Sequence, residues 1–286
     1  MLLCFLGVVF TVKYQESDQS DVTYSHHRSI VLAQALSLSL FAGTGMHRRQ
    51  IFKSVHGFLT CAYSHPSRLY NMASARGALI VLEGVDHSGK TTQCMKLVEA
   101  LQKHGQKAEL IRFPDRTTAI GSVINDYLGN KCELHDFAIH LLFSANRWEA
   151  VPRMEKLLSE GTSLIVDRYA FSGVAFTAAK GLDMRRCQHS DIGLPRPDLV
   201  IYLTLPPEEA AKRSEYGGER YEQTDFQKKV AENFKVLQED DWKILNANQT
   251  IEELHTHILQ LAKEAVTKSS CQPILPLWKS MENGQP

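Results

Sequence analysis

Between Asp21 and Glu83 the sequence contains no acidic residue, although Arg28, Arg48, Arg49, Lys53, Arg68 and Arg76 all fall in that interval. Such a stretch, rich also in Ser and His, suits a mitochondrial transit segment, which is poor in acids and carries scattered arginines. It equally suits an extension outside the folded region, with Met46 or Met72 as alternative starts. The apolar run Leu2 to Val12 has no basic residue before it, which argues against a secretory signal. The run Ile30 to Ala42 covers 13 residues, short of the roughly 20 that a membrane span requires. The six cysteines are scattered with no C-x-x-C pair, which argues against a zinc site and a disulfide framework. Net charge is absent as well: 32 Lys and Arg balance 32 Asp and Glu. No overall field therefore draws the molecule to nucleic acid or membrane, and any anion must be held by locally placed groups.

What is present begins at Gly77. ALIVLEG, from Ala78 to Gly84, is a short continuous apolar run ending in glycine, of the kind a buried parallel strand needs. Lys107–Phe113, Ser163–Tyr169, Asp198–Leu205 and Trp242–Ala247 read as four further strands. Helical patterns separate them: Lys90–His104, one long segment Leu134–Ser159, Pro207–Glu215, Asp225–Asp240 and a last helix Ile251–Thr267. Strands alternating with helices predict an α/β fold, a five-stranded parallel sheet flanked by helices on both faces. Residues 1–71 are expected to be the extension and 72–280 the folded domain; 281–286 are expected to form a loose tail.

Gly84-Val85-Asp86-His87-Ser88-Gly89-Lys90-Thr91 follows the first strand and opens the first helix, in the pattern G-x-x-x-x-G-K-[ST]. A phosphate needs a cradle of backbone N–H groups at close range, and the glycines and the helix N-terminus supply one. Lys90 is expected on the β- and γ-phosphates of a nucleotide and the Thr91 hydroxyl on Mg²⁺, with Thr92 completing the nucleotide-binding set. The guanine motif N-K-x-D is missing, which argues against a GTPase.

The rest of the chain must supply the second substrate. Arg116 follows a strand end, where doubly wound sheets bind ligands. Phe143 and Arg147 are four apart on one helix, so ring and guanidinium share a face able to hold a base. Asp167 ends another strand, in reach of a metal or its water shell, with Arg168 beside it for phosphate. With LEGVDxxGKTTQ, RFPDR, LLFSANRWE, DRYAFSGVAF, GLPRPDLVIYL and GERYE, the chain from about Gly77 to Leu277 resembles the eukaryotic thymidylate kinases.

That resemblance implies the P-loop nucleoside monophosphate kinase fold, a homodimer, ATP and dTMP as substrates, and Mg²⁺. It implies that Phe143 stacks on thymine, Arg147 bonds its carbonyl edge, and Arg116 and Arg168 grip the dTMP phosphate. Asp86 would lie near the sugar, with Gly173, Phe176 and Tyr221 shaping the pocket. A mobile lid is implied at about 206–224, its Arg213 and Arg220 facing ATP. Neither nucleic acid nor membrane is an expected partner. The expected compartment is the cytoplasm, with the nucleus, or the mitochondrion through residues 1–71, as alternatives.

One position departs from the family pattern: His87 stands where eukaryotic members usually carry an arginine aimed at the transferred phosphoryl group. Histidine lacks arginine's permanent charge, and an arginine finger is worth roughly 10³–10⁵ in rate. The expectation is that Arg213 or Arg220 compensates and His87 assists. A deoxynucleoside kinase and a catalytically impaired nucleotide-binding regulator remain as alternatives.

Overall fold

The computed structural model describes residues 75–213 and 217–278. The N-terminal extension, the tip of the expected lid and the expected tail at 281–286 fall outside the described residues.

Five strands form one sheet: β1 (Leu79–Gly84), β2 (Ala108–Arg112), β3 (Ser163–Asp167), β4 (Leu199–Thr204) and β5 (Lys243–Asn246). All pair in parallel, in the order β2-β3-β1-β4-β5. Because side chains alternate along a strand, β1 feeds two cores. Leu79 and Val81 join one apolar cluster, and Ala78, Ile80 and Leu82 the other. Against the first face pack α4 (Val151–Ser159), α5 (Ala170–Ala178) and α8 (Thr224–Leu237), through residues such as Met154, Phe171 and Phe234. Against the second pack α1 (Lys90–Lys103) and α9 (Ile251–Ser269). On α9, Leu254, Ile258, Ala262 and Ala265 make one helical stripe, and a Thr250–Glu253 capping box fixes its start. Each large aliphatic in these layers contributes roughly 1.5–3 kcal/mol of burial.

A third, smaller cluster joins α2 (Ala119–Leu128), α3 (Asp136–Trp148) and Tyr221 over the C-terminal edge of the sheet. The short helices α6 (Met184–His189) and α7 (Pro207–Ala210) complete the described set.

The expected single helix Leu134–Ser159 is two. It breaks between Trp148 and Val151, and Pro152 sits in the first turn of α4. A proline is tolerated there because its missing N–H would have no partner, whereas inside a continuous helix it would remove a bond. The expected helix Pro207–Glu215 is only the single turn of α7. Helices α2, α5 and α6 were not anticipated. α5 is apolar and buried on nearly every side, so no amphipathic period marks it. α2 did carry a signal, since Thr118 caps it by accepting from the Gly121 N–H at 3.0 Å. The chain after α9 is docked as far as Trp278: Leu277 is buried and Trp278 meets Phe171 edge-on at 5.6 Å.

Candidate active site

The ligand crevice of an open α/β sheet lies where neighbouring crossovers diverge, beyond the strands' C-terminal ends. In this sheet that place is between β1 and its neighbours β3 and β4. A cleft of about 640 Å³ opens there.

Its floor is the loop 84–91. Gly89 caps α1 with a left-handed backbone (φ 93), no side chain caps the helix, and its first turn carries no acidic residue. The positive end of α1 thus faces the cleft. Lys90 is folded back into the loop, donating to the Val85 carbonyl at 2.6 Å and the Ser88 hydroxyl at 3.1 Å. Burial, and next the Arg168 charge, lower the pKa of its ammonium to about 7. Gly84, Val85 and Ser88 build the loop from behind. Asp86, His87, Gly89, Lys90, Thr91 and Thr92 line the cleft itself.

Thr91 and Asp167 meet: the hydroxyl donates to Asp167 Oδ2 at 2.5 Å. Asp167 is buried, yet its Oδ1 has no hydrogen-bond partner. An orphaned carboxylate oxygen beside a threonine hydroxyl suits the oxygen ligands or water shell of Mg²⁺.

Arg168, directly after β3, adopts a left-handed backbone (φ 68), rare for a residue with a side chain. That turn sends its guanidinium to Gly84 O at 3.1 Å, Ser172 Oγ at 3.2 Å and the Asp86 carboxylate. Glu83, fully buried within the apolar β1, accepts from Tyr169 N (2.9 Å), Ser172 N (3.0 Å) and Ser172 Oγ (2.5 Å), and so fixes the start of α5. Burial raises its pKa. Sequence reasoning missed Glu83 as a supporting group; a lone acid inside a β-strand run was the available signal.

Across the cleft, Phe143 and Arg147 both line the wall, as their four-residue spacing implies. Arg147 is buried and forked onto Asp191, Nε to Oδ1 at 3.1 Å and Nη2 to Oδ2 at 2.6 Å. Gly173 is required by close approach: a Cβ there would stand 2.7 Å from Arg147 Nη2. Phe176 and Tyr221 also border the cleft, their rings 5.7 Å apart.

Arg116 reaches the cleft from the loop after β2 and is forked onto Glu219, at 2.7 and 3.0 Å. Its loop is pinned by the buried Asn146, which accepts from Asp115 N at 2.7 Å and donates to Asp115 O at 3.1 Å. His87 meets Glu222 at 2.9 Å, and the other Glu222 oxygen accepts from the N–H groups of Gly217, Gly218 and Glu219. The segment 217–222 thus touches both the phosphate loop and Arg116.

The two lid arginines separate. Arg213 borders the cleft, donating to His87 O at 2.8 Å and Ala247 O at 3.1 Å. Arg220, expected to face ATP, does not line it. It is held at the end of α2 and on the loop that follows by the Tyr127 and Cys132 carbonyls and by both Glu133 oxygens, at 2.8–3.0 Å. That run of acceptors satisfies its planar fork. Arg112, which sequence reasoning left out, also lines the cleft and pairs with Asp167 at 3.6 Å.

Residues 82–258 match the family model described as Thymidylate kinase. This chain belongs to the thymidylate kinase family. Among thymidylate kinases it is 54% identical to that of Danio rerio and 50% to that of Homo sapiens, in each case over 212 residues. Each alignment covers 73% of this chain and 100% of the relative. The thymidylate kinase of Arabidopsis thaliana is 51% identical over 219 residues, 76% of this chain and 83% of the relative. A solved thymidylate kinase from Candida albicans superposes with a TM-score of 0.64 at 37% identity, covering 72% of this chain and 100% of that one. The all-parallel five-stranded sheet with helices on both faces is the thymidylate kinase architecture of that neighbour.

Proposed function

We propose that the chain transfers the terminal phosphoryl group of ATP to the phosphate of dTMP, giving dTDP and ADP. The observation that carries this reading is the make-up of one cleft. The phosphate loop with Thr91 and Asp167, the pair Phe143 and Arg147, and the arginines Arg116 and Arg168 all line it. Two anionic nucleotides would meet there.

The acceptor is a phosphate oxygen, ionised at neutral pH, so the reaction needs no strong general base. The bond from the transferred phosphorus to the bridging oxygen of ATP breaks as one to the dTMP oxygen forms. Catalysis then rests on alignment and on neutralising charge. Phe143 and Arg147 hold the thymine, and Arg116 exchanges the Glu219 carboxylate for the dTMP phosphate, a stronger partner for a guanidinium fork. Arg168, braced by Asp86, completes the acceptor grip. Lys90 and the backbone of 84–91 hold the donor phosphates, and Arg213 adds charge from the lid side. Thr91 and Asp167 would hold Mg²⁺, which supplies charge neutralisation on the donor phosphates when bound. Exposed Val123 on α2 and Leu141 on α3 offer apolar surface for a homodimer.

An acceptor comparison tests the reading. With ATP and Mg²⁺, dTMP should be converted and thymidine should not. Conversion of thymidine in place of dTMP would assign the chain to the deoxynucleoside kinases instead.

A further inference from the structure

Arg147 is a buried cation at the end of a cleft that must accept an uncharged base. Its charge is answered by Asp191, which is fully buried and lies just after α6, far from Arg147 in sequence. The pair uses Nε and one edge of Nη2. Nη1, which the pair leaves out, lies with Nη2 against Gly173, where a Cβ would stand 3.0 Å and 2.7 Å from them, and both residues line the cleft. Helix α5 keeps that glycine although alanine would favour the helix by about 1 kcal/mol.

Asp191 is itself held in place. Ser144 donates to Asp191 Oδ1 at 2.8 Å and to the Ser190 carbonyl at 2.9 Å. Trp148 Nε1 donates to the same carbonyl at 2.8 Å, and His140 lies 2.9 Å from the Cys187 carbonyl and 3.1 Å from Ser190 Oγ. Residues 140, 144 and 148 are four apart, one stripe of α3; residues 143 and 147 form the neighbouring stripe. One face of the helix therefore grips the loop that carries Asp191, while the adjacent face presents Phe143 and Arg147 to the cleft.

We infer that Asp191 is a positioning and specificity-determining residue: it fixes the Arg147 fork with its free edge toward the base and cancels its charge there. The base end then offers rigid donors without net charge. Such a site favours a neutral pyrimidine with an acceptor oxygen at its 4-position over one with an amino donor there, the difference between thymine and cytosine. It also gives a phosphate no cation to bind at the wrong end. The inference rests on the proposed reading of Phe143 and Arg147 as the base-holding pair.

The test is steady-state kinetics of the full chain with ATP, Mg²⁺ and either dTMP or dCMP. Asp191→Asn should raise KM for dTMP roughly ten- to a hundredfold, the effect expected for losing a hydrogen bond between charged groups. It should leave KM for ATP unchanged and reduce the dTMP-to-dCMP selectivity at least about tenfold. Ser144→Ala, which removes only a supporting hydroxyl, should do the same about threefold, and it decides the matter if Asp191→Asn does not fold. A pair that merely holds the fold together would lower the melting temperature and leave KM and selectivity alone. That result would overturn the inference. A wild-type chain that does not convert dTMP at all would overturn the proposed function first.

Discussion

Gly121, in the first turn of α2, lets that helix lie directly on the loop that aims Arg116. A Cβ built there would stand 1.8 Å from Asp115 O, 2.7 Å from Asp115 C and 2.9 Å from Arg116 Cα. All three are backbone atoms, and the Asp115 carbonyl is tied to the buried Asn146, so no flexible side chain can yield. Reaching an ordinary contact would push helix and loop apart by about 1 Å or more, in a layer packed like a crystal. For Gly121→Ala, overpacking of this kind costs about 3 kcal/mol, and the better helix propensity of alanine returns about 1 kcal/mol. The net loss lowers the melting temperature by about 4–8 °C for a domain of this size. Arg116 should move with the loop and lose its 3.0 Å bond to Asn125 on the same helix. A 1 Å misplacement can lower activity by up to ~10²-fold, and we expect it mainly as a raised KM for dTMP with KM for ATP unaffected. Gly129→Ala at the other end of α2 is the control: its nearest contact is Asn125 O at 3.3 Å, and stability should change by less than about 0.5 kcal/mol. Calorimetric melts and steady-state kinetics read both variants. A Gly121→Ala protein as stable as wild type, with unchanged KM for dTMP, would refute the argument.

Three further outcomes are expected. Arg213→Ala, which removes a cleft-lining cation, should lower kcat by on the order of 10²-fold or more, whereas Arg220→Ala should lower it less than about threefold while destabilising the contact with α2. Equal kinetic losses would show that both arginines reach the phosphates. Lys90 titrates at about 7 in the free site, so at pH 7.5–8 phosphate binding should draw a proton onto it. Calorimetric titration with ATP in buffers of different ionisation enthalpy should give net uptake that vanishes in Lys90→Met; no buffer dependence would contradict this. His140 is buried with its pKa lowered from 6.5, chiefly by desolvation. The unfolded chain therefore takes up the proton first as pH falls, and stability is lost as pH drops through 6.5 toward the lowered folded value. His140→Gln should flatten the fall in melting temperature between pH 7 and 5; an unchanged slope would place the loss elsewhere.

Most of the sheet could be read from the sequence, because parallel strands buried on both faces are short unbroken apolar runs bounded by glycine, proline or charge. Helix boundaries were harder. Pro152 divides a pattern whose apolar period continues through the break, and α5 has no polar face to betray its period. The phosphate loop was legible because one contiguous stretch supplies all its parts. Glu83, Asn146 and Asp191 were not, because each acts on a partner 31 or more positions away in the chain. Spacing rules see only neighbours within a helix or strand. Arg220 shows the converse limit: a charge in the right segment does not reveal which way it points until the carbonyls around it are known.

The most direct test of the central claim is to identify the product formed by purified protein with ATP, Mg²⁺ and dTMP, by ³¹P NMR and chromatography. Equal amounts of dTDP and ADP are expected, with almost none from Lys90→Met. Tight binding of both nucleotides without dTDP, or ADP released without dTMP consumed, would contradict it.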